Sequence, residues 1–432
     1  MFEKLFKLKE NGTNVKTEFI AGITTFMTMS YIIFVNPAIL SKTGMDFNAV
    51  MMATVLASGF TTILMGLLVN YPFALAPGMG LNAYFTFTVV KQMGYPWQTA
   101  LGAVFISGCI FLLLTFAGIR QLIVKAIPES IKVATAAGIG LFIALIGFKE
   151  AGIIVAHKET LVALGDIVSV KAVLTVLGLI FISALYIRRI KGAILIGILT
   201  LWVIGLVFGL AEFKGFFSMP PDISPVFMKL DIKSALNIGF FGIIFAFLFV
   251  DLFDTTGTLV GVAKEAGFIK ENGEFPRVGK ALTVDAMGTC MGAVLGTSTI
   301  TTYIESASGV AEGGKTGLTS VVTGMLFLLS VFISPIAESI PVFATAPALI
   351  FVGVLMLKSI IRIDWDDFSE VLPAFIVMVS MPFTYSIATG IALGFIFYPL
   401  TKLFAGRARE VSPAVWVLAI IFVIRFVYLR FN

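Results

Sequence analysis

Runs of about 20 apolar residues recur along nearly the whole chain, and this recurrence restricts the fold more than any other feature. They lie near 19–38, 50–69, 98–118, 133–148, 170–187, 192–210, 238–260, 281–296, 316–334, 344–361, 369–387 and 388–406. A helix of that length spans the hydrocarbon core of a bilayer. Two more stretches, 71–90 and 297–312, are apolar but interrupted by Gly, Pro, Ser and Thr. Counting them gives about 14 crossings, with a shorter apolar segment, 413–429, left over. With 58% of its 432 residues hydrophobic and 13% charged, the chain has too little polar surface for a soluble domain. The expected class is an all-α polytopic membrane protein of the cell membrane, its partner the lipid bilayer.

Charge tests the count. With the N-terminus cytoplasmic, the inner segments hold 20 of the 30 Lys and Arg, among them Arg120, Lys125, Lys132, Arg188, Arg189, Lys191, Lys264, Lys270, Arg277 and Lys280. That is the positive-inside bias, and it holds only if both interrupted stretches cross the membrane. The same rule accounts for the net charge of +5 without invoking nucleic acid. Arg425 within 413–429 favours an interfacial helix there over a full crossing. The charged start (Glu3, Lys4, Lys7, Lys9, Glu10, Lys16) leads into a full-length span rather than a cleavable signal. Cys109 and Cys290 both sit in apolar runs and are expected to pack without a disulfide.

The halves echo each other. Ser107-Gly108-Cys109-Ile110-Phe111-Leu112-Leu113 recurs as Thr323-Gly324-Met325-Leu326-Phe327-Leu328-Leu329, 216 residues on. Each copy is followed by Ile-Pro (Ile127-Pro128, Ile340-Pro341) and then by Ala-Thr-Ala (134–136, 344–346). Seven crossings per half place the second copy in the opposite orientation, a 7+7 inverted repeat of the kind secondary transporters use. The interrupted segments occupy corresponding places in the halves, and such broken helices are the best sequence pointer to a transport site.

Ionisable groups deep in a membrane are costly and therefore informative. Asp251 and Asp254 lie in Phe249-Val250-Asp251-Leu252-Phe253-Asp254-Thr255-Thr256-Gly257, where their spacing puts both carboxylates on one helix face. Glu305 lies in the second interrupted segment, in Thr301-Thr302-Tyr303-Ile304-Glu305-Ser306. No Lys, Arg or His stands in the central part of a main span to pair with them. Asn82, in Ala76-Pro77-Gly78-Met79-Gly80-Leu81-Asn82-Ala83-Tyr84, can offer a donor and an acceptor to a heterocycle, or can cap a broken helix. Tyr303 can stack on a planar ligand or line a helix interface. Asp285, nearer a helix start, and Glu18, opening the first span, read as structural. His157 falls in an outer loop and reads as solvated.

Two motifs of soluble enzymes match formally and fail on context. Gly309-Val310-Ala311-Glu312-Gly313-Gly314-Lys315-Thr316 fits a phosphate-binding loop, and Gly78-Met79-Gly80-Leu81-Asn82-Ala83 a dinucleotide fingerprint. Both need a strand in a soluble α/β domain, whereas here they lie in membrane segments. With no ATPase domain, energy is expected from an ion gradient, and no His/Cys cluster suggests a metal. An enzyme is not expected, nor a cofactor. An intramembrane aspartyl protease would need its acids on two helices, one in a Gly-x-Gly-Asp run, and no such run exists.

These residues also carry a likeness. The chain resembles the nucleobase–cation symporter-2 superfamily (xanthine/uracil permease type), in its AzgA-like hypoxanthine/guanine/adenine branch. The likeness rests on Asn11-Gly12-Thr13 through Glu18-Phe19-Ile20-Ala21-Gly22-Ile23-Thr24-Thr25-Phe26, Ala76–Ala83, Asp251-Leu252-Phe253-Asp254-Thr255-Thr256-Gly257-Thr258 and Thr301–Ser306. It implies a core (spans 1–4 and 8–11) and a gate (5–7 and 12–14), with short strands in broken spans 3 and 10 and substrate between core and gate. The corresponding segments are 1–118 and 238–335 for the core, 119–237 and 336–410 for the gate, and 411–432 for an interfacial or extra helix. Substrate-binding positions carried over are Asn82, Asp251, Asp254, Tyr303 and Glu305. Two departures from the uracil branch, Thr258 where its permeases have His and the longer Glu305-Ser306-Ala307-Ser308 before Gly309-Val310, favour purines.

The resemblance thus implies import of hypoxanthine, guanine or adenine by proton symport, and it leaves a homodimer open. A desolvated carboxylate can load a proton, which lowers the cost of moving the site through a low dielectric, so Asp251, Asp254 and Glu305 are the proton-coupling candidates. A sulfate or bicarbonate carrier would share the architecture, but should place a basic residue at the site and carry a soluble C-terminal domain.

Overall fold

The computed structural model describes residues 2–118, 126–237, 241–269 and 275–431. Arg120, Lys125, Lys270 and the boundaries expected at 119 and 238 lie outside them. The fold is helical and polytopic. Among the described residues, ten helices are long and apolar enough to cross a membrane. An isolated span must satisfy its backbone internally, which an apolar stretch does only as a helix. Polar residues set the ends: Asp46 caps Phe47–Leu64 through the amide of Ala49 at 2.8 Å, and Ser386 caps Ile387–Phe404 through Thr389 at 3.2 Å. Further expected crossings fall on shorter elements, Ala193–Val207, Phe368–Thr384 and the two interrupted segments. The count of about 14 therefore rests on elements each shorter than a full apolar helix.

The interrupted segments meet. Leu75–Pro77 pairs antiparallel with Ile300–Thr302, in the register Leu75 with Thr302, Ala76 with Thr301 and Pro77 with Ile300. The ladder continues past the strands through Gly78 N to Thr299 O and Tyr303 N to Ala74 O, both 2.9 Å. Hydroxyls complete the extended backbone. Thr62 Oγ1 accepts from Leu75 N and donates to Leu75 O, Thr289 donates to Ile300 O, and Ser320 donates to Tyr71 O and Phe73 O. Non-helical chain at membrane depth is tolerated on those terms. Each strand leads into a short helix, Met79–Ala83 (continuing in π-helical turns to Gln92) and Ser306–Ala311.

Two groups of helices pack among themselves. Gly317–Leu329 lies on Val15–Met29 and Phe47–Leu64, and Val278–Leu295 on Phe47–Leu64 and Trp97–Phe116. Glu129–Glu150 instead lies on Val342–Leu357, Phe368–Thr384 and Ile387–Phe404. Between the groups, Lys42 pairs with Glu150, while Tyr385 wedges edge-on against both Phe87 and Phe142. Thr88 Oγ1 donates to Tyr385 O at 2.9 Å beside that wedge.

Several details add to the expectation. The segment 413–429 is the helix Pro413–Phe431, and Phe422 packs on Phe245, Phe249 and Phe395, the last half-way along Ile387–Phe404. The loop holding His157 contains a hairpin, Ile154–His157 with Leu161–Leu164, and His157 is exposed on it. Cys109 and Cys290, expected to pack without a disulfide, face each other as free thiols with sulfurs 3.9 Å apart. Lys402, buried near a helix end, is paired with Glu370 at 2.6 Å and with Asp367 and Glu410 at 3.4 Å. The Ser369 hydroxyl, with Arg407, holds the Asp367 carboxyl well below the usual carboxylate range.

Candidate functional site

The strand crossing gathers the acidic groups. Asp254 projects from Phe241–Glu265 to the start of the first half-helix, where a β-carbon at Gly78 would stand 3.0 Å from its Oδ2 and 2.7 Å from Thr301 Cγ2. Glycine at 78 is what lets that backbone come so close. Glu305 stands at the N-cap of Ser306–Ala311, half-buried like Asp254. The Tyr31 hydroxyl donates to Glu305 Oε1 at 2.7 Å. Tyr303, nearly buried, donates its hydroxyl to Pro77 O at 2.5 Å, so the phenol ties one strand to the other while its ring borders the acids.

The other two expected ligands sit deeper. Asp251 is fully buried, and the Thr255 hydroxyl lies 3.2 Å from Asp251 Oδ1, 2.9 Å from Asp285 Oδ1 and 2.9 Å from Thr301 Oγ1. Asp251 thus faces the contact between Phe241–Glu265 and Val278–Leu295. Asn82 is also fully buried: its Oδ1 accepts from the Ser298 hydroxyl, and its Nδ2 lies 3.5 Å from Pro77 O. Its amide joins the two interrupted segments.

Asp285 corrects the reading from the helix start. The helix begins at Val278, so Asp285 lies about two turns inside it, fully buried, with its charge within reach of Asp254. The helix-terminus argument does not apply to it. Glu18 does serve a helix N-terminus, but a distant one. Its carboxylate accepts from the amides of Lys315 (2.9 Å), Thr316 (3.3 Å) and Thr319 (3.1 Å) and from Thr319 Oγ1 (2.6 Å). The turn that resembles a phosphate-binding loop is therefore filled by a carboxylate of the same chain. Sequence reasoning passed over Tyr31, which carries no signal inside an apolar run. The arrangement can accept hydrogen bonds from a ligand's N–H groups and border a planar ring with phenols. Among the described residues, no group of His, Cys, Asp and Glu is placed to hold a metal ion.

On the other side of the crossing, Ile139 of Glu129–Glu150 presses on the first half-helix: a β-carbon at Gly80 would meet Ile139 Cγ2 at 2.5 Å. The acidic crossing thus borders the place where the two helix groups meet.

The comparisons agree with this architecture. Residues 16–393 match the permease family of the xanthine/uracil type. Adenine permease AdeP of Escherichia coli is 48% identical, over 99% of this chain and 96% of its own. Guanine/hypoxanthine permease PbuG of Bacillus subtilis is 46% identical, over 98% of this chain and 99% of its own. Among solved structures, the transmembrane domain of the cyanobacterial bicarbonate transporter BicA superposes with a TM-score of 0.67 at 14% identity, covering 88% of this chain and 97% of BicA's. That similarity is one of fold alone. The relatives are transporters rather than enzymes, and this multi-pass membrane chain belongs to the nucleobase–cation symporter-2 family of permeases.

Proposed function

We propose that this protein imports purine nucleobases (hypoxanthine, guanine or adenine) together with a proton. The observation that carries the reading is the meeting of two half-buried carboxyls, Asp254 and Glu305, with Tyr31 and Tyr303 where the interrupted segments cross. A purine presents ring N–H groups that carboxylates can accept, and two flat faces that phenols can border. Relatives named for adenine and for guanine/hypoxanthine, aligned over nearly the whole chain, support the substrate class. A fold shared with a bicarbonate transporter does not favour an anion, because carboxyls gathered at the crossing repel one.

The mechanism we propose is alternating access. Residues 1–118 and 238–335 form a core that carries the site, and 119–237 and 336–410 a gate against which it moves. About 14 crossings form a 7+7 inverted repeat, and the excess of Lys and Arg in the inner segments favours a cytoplasmic N-terminus. Proton loading on one of Asp254, Glu305 and Asp251 reduces the charge that has to pass the low-dielectric barrier. Uptake of labelled hypoxanthine in cells, with a panel of unlabelled bases as competitors, tests the substrate class. Competition by hypoxanthine, guanine or adenine but not by uracil is expected; absence of saturable hypoxanthine uptake, or competition by uracil or bicarbonate as strong as by the purines, refutes the reading.

A further inference from the structure

We infer that Tyr31 is the positioning residue for Glu305, the hydroxyl that fixes how this acid meets its ligand; the inference rests on the site proposed above. The first span tightens in its middle. It runs as Val15–Met29 and resumes as Ile32–Leu40, with tightened bonds across the break from Ile33 N to Ser30 O and Phe34 N to Tyr31 O, both 3.1 Å. Tyr31 sits at that break, 1% exposed, with its phenol directed at Glu305 Oε1.

The surroundings hold the pair in register. The second half-helix lies so close to the first span that a β-carbon at Gly309 would stand 2.1 Å from Thr25 Oγ1 and 2.7 Å from Ala21 O. Thr28 Oγ1, within the same turn of the first span, lies 3.5 Å from Glu305 O. Both the backbone and the carboxyl of Glu305 are therefore referred to the first span. With Oε1 anchored, the direction of Oε2 is set as well. A phenol donates a stronger hydrogen bond to a carboxylate than it can accept from a carboxylic acid, so Tyr31 bears on how readily Glu305 takes a proton without giving up its own. The titratable groups facing Glu305 are Tyr31, Tyr303 and Asp254, with Asp285 beyond Asp254.

The test uses the full chain in proteoliposomes, comparing wild type, Tyr31→Phe, Glu305→Gln and the double variant. Tyr31→Phe should accumulate and melt as wild type does, yet raise the KM for hypoxanthine roughly ten-fold, the scale of one hydrogen bond to a charged group. In the Glu305→Gln background the same change should alter KM by a smaller factor, since a neutral amide oxygen accepts a weaker hydrogen bond than a carboxylate. Tyr31→His, which keeps a ring donor, should recover part of the affinity; a role in packing alone would leave it worse than Tyr31→Phe. A substrate-free readout separates this inference from the functional reading. The infrared carboxyl band that Glu305→Gln removes should shift its midpoint by about one pH unit in Tyr31→Phe. Equal KM factors in both backgrounds, or an unmoved infrared midpoint, overturn the role of Tyr31. Absence of purine uptake by wild type sinks the functional reading instead, while the infrared titration still decides for or against Tyr31.

Discussion

Removing the Glu18 carboxylate should destabilise the fold without altering the transport site. Glu18 is fully buried in the first turn of Val15–Met29 and caps the start of Gly317–Leu329 through three amides and a hydroxyl. In Glu18→Ala those donors lose their acceptor. Lys315 is exposed, so water can replace the carboxylate at its amide, whereas Thr316 and Thr319 are buried and their amides stay unpaired. Two stranded donors at about 1–3 kcal/mol each give a loss of about 2–6 kcal/mol. Glu18→Gln keeps one acceptor but turns an amino group toward donors, and should fall between wild type and Glu18→Ala. The assay is thermal unfolding of the purified protein in detergent, read beside hypoxanthine uptake per folded molecule. A fall of several degrees with an unchanged KM is expected. Melting of Glu18→Ala within a degree of wild type would refute the cap as a main tie between the first span and Gly317–Leu329.

Other consequences are as direct. Asp254→Ala should lower purine uptake at least ten-fold at unchanged protein level, the effect of leaving buried polar partners unmatched. Asn82→Ala should do the same, and Ser298→Ala, which removes only the partner of Asn82, should reproduce part of its loss; near-normal uptake by Asn82→Ala would dismiss the brace between the interrupted segments. A cysteine at His157 should react with an impermeant thiol reagent outside cells lacking Cys109 and Cys290, and one at Lys270 should not; the reverse pattern overturns the orientation. Cysteines replacing Lys42 and Glu150, now paired between the two helix groups, should stop uptake when cross-linked and restore it on reduction. Uptake that ignores the cross-link would mean that the two groups need not separate there.

Much of this architecture is written locally in the chain. Apolar length marks Val170–Ile187 to the residue, and the Gly, Pro, Ser and Thr of 71–90 and 297–312 mark the segments that become strands and half-helices. Glu305 and Asp254 are conspicuous because a carboxyl inside an apolar run has few bland explanations. What escaped depends on partners far away in sequence. Glu18 finds its donors 297 or more residues later, and Tyr31 finds Glu305 at a separation of 274. No periodicity encodes either pairing. The helix-start argument for Asp285 fails because the apolar run begins later than the helix, whose first turn after Val278 carries Lys280. For Asn82 the sequence leaves open an amide for a ligand or a cap on a broken helix, and both ends of the amide are engaged within the chain.

The central claim is that a carboxyl at the strand crossing couples purine entry to a proton, and a gradient experiment addresses it most directly. Wild type and Glu305→Gln are reconstituted in proteoliposomes, a pH gradient is imposed, and labelled hypoxanthine accumulation is followed with and without a protonophore. Wild type should accumulate the base against its gradient and lose that ability with the protonophore, while Glu305→Gln should bind far more weakly or accumulate nothing in response to the gradient. Wild-type uptake that ignores the pH gradient or requires sodium, or Glu305→Gln accumulation equal to wild type, would contradict the account.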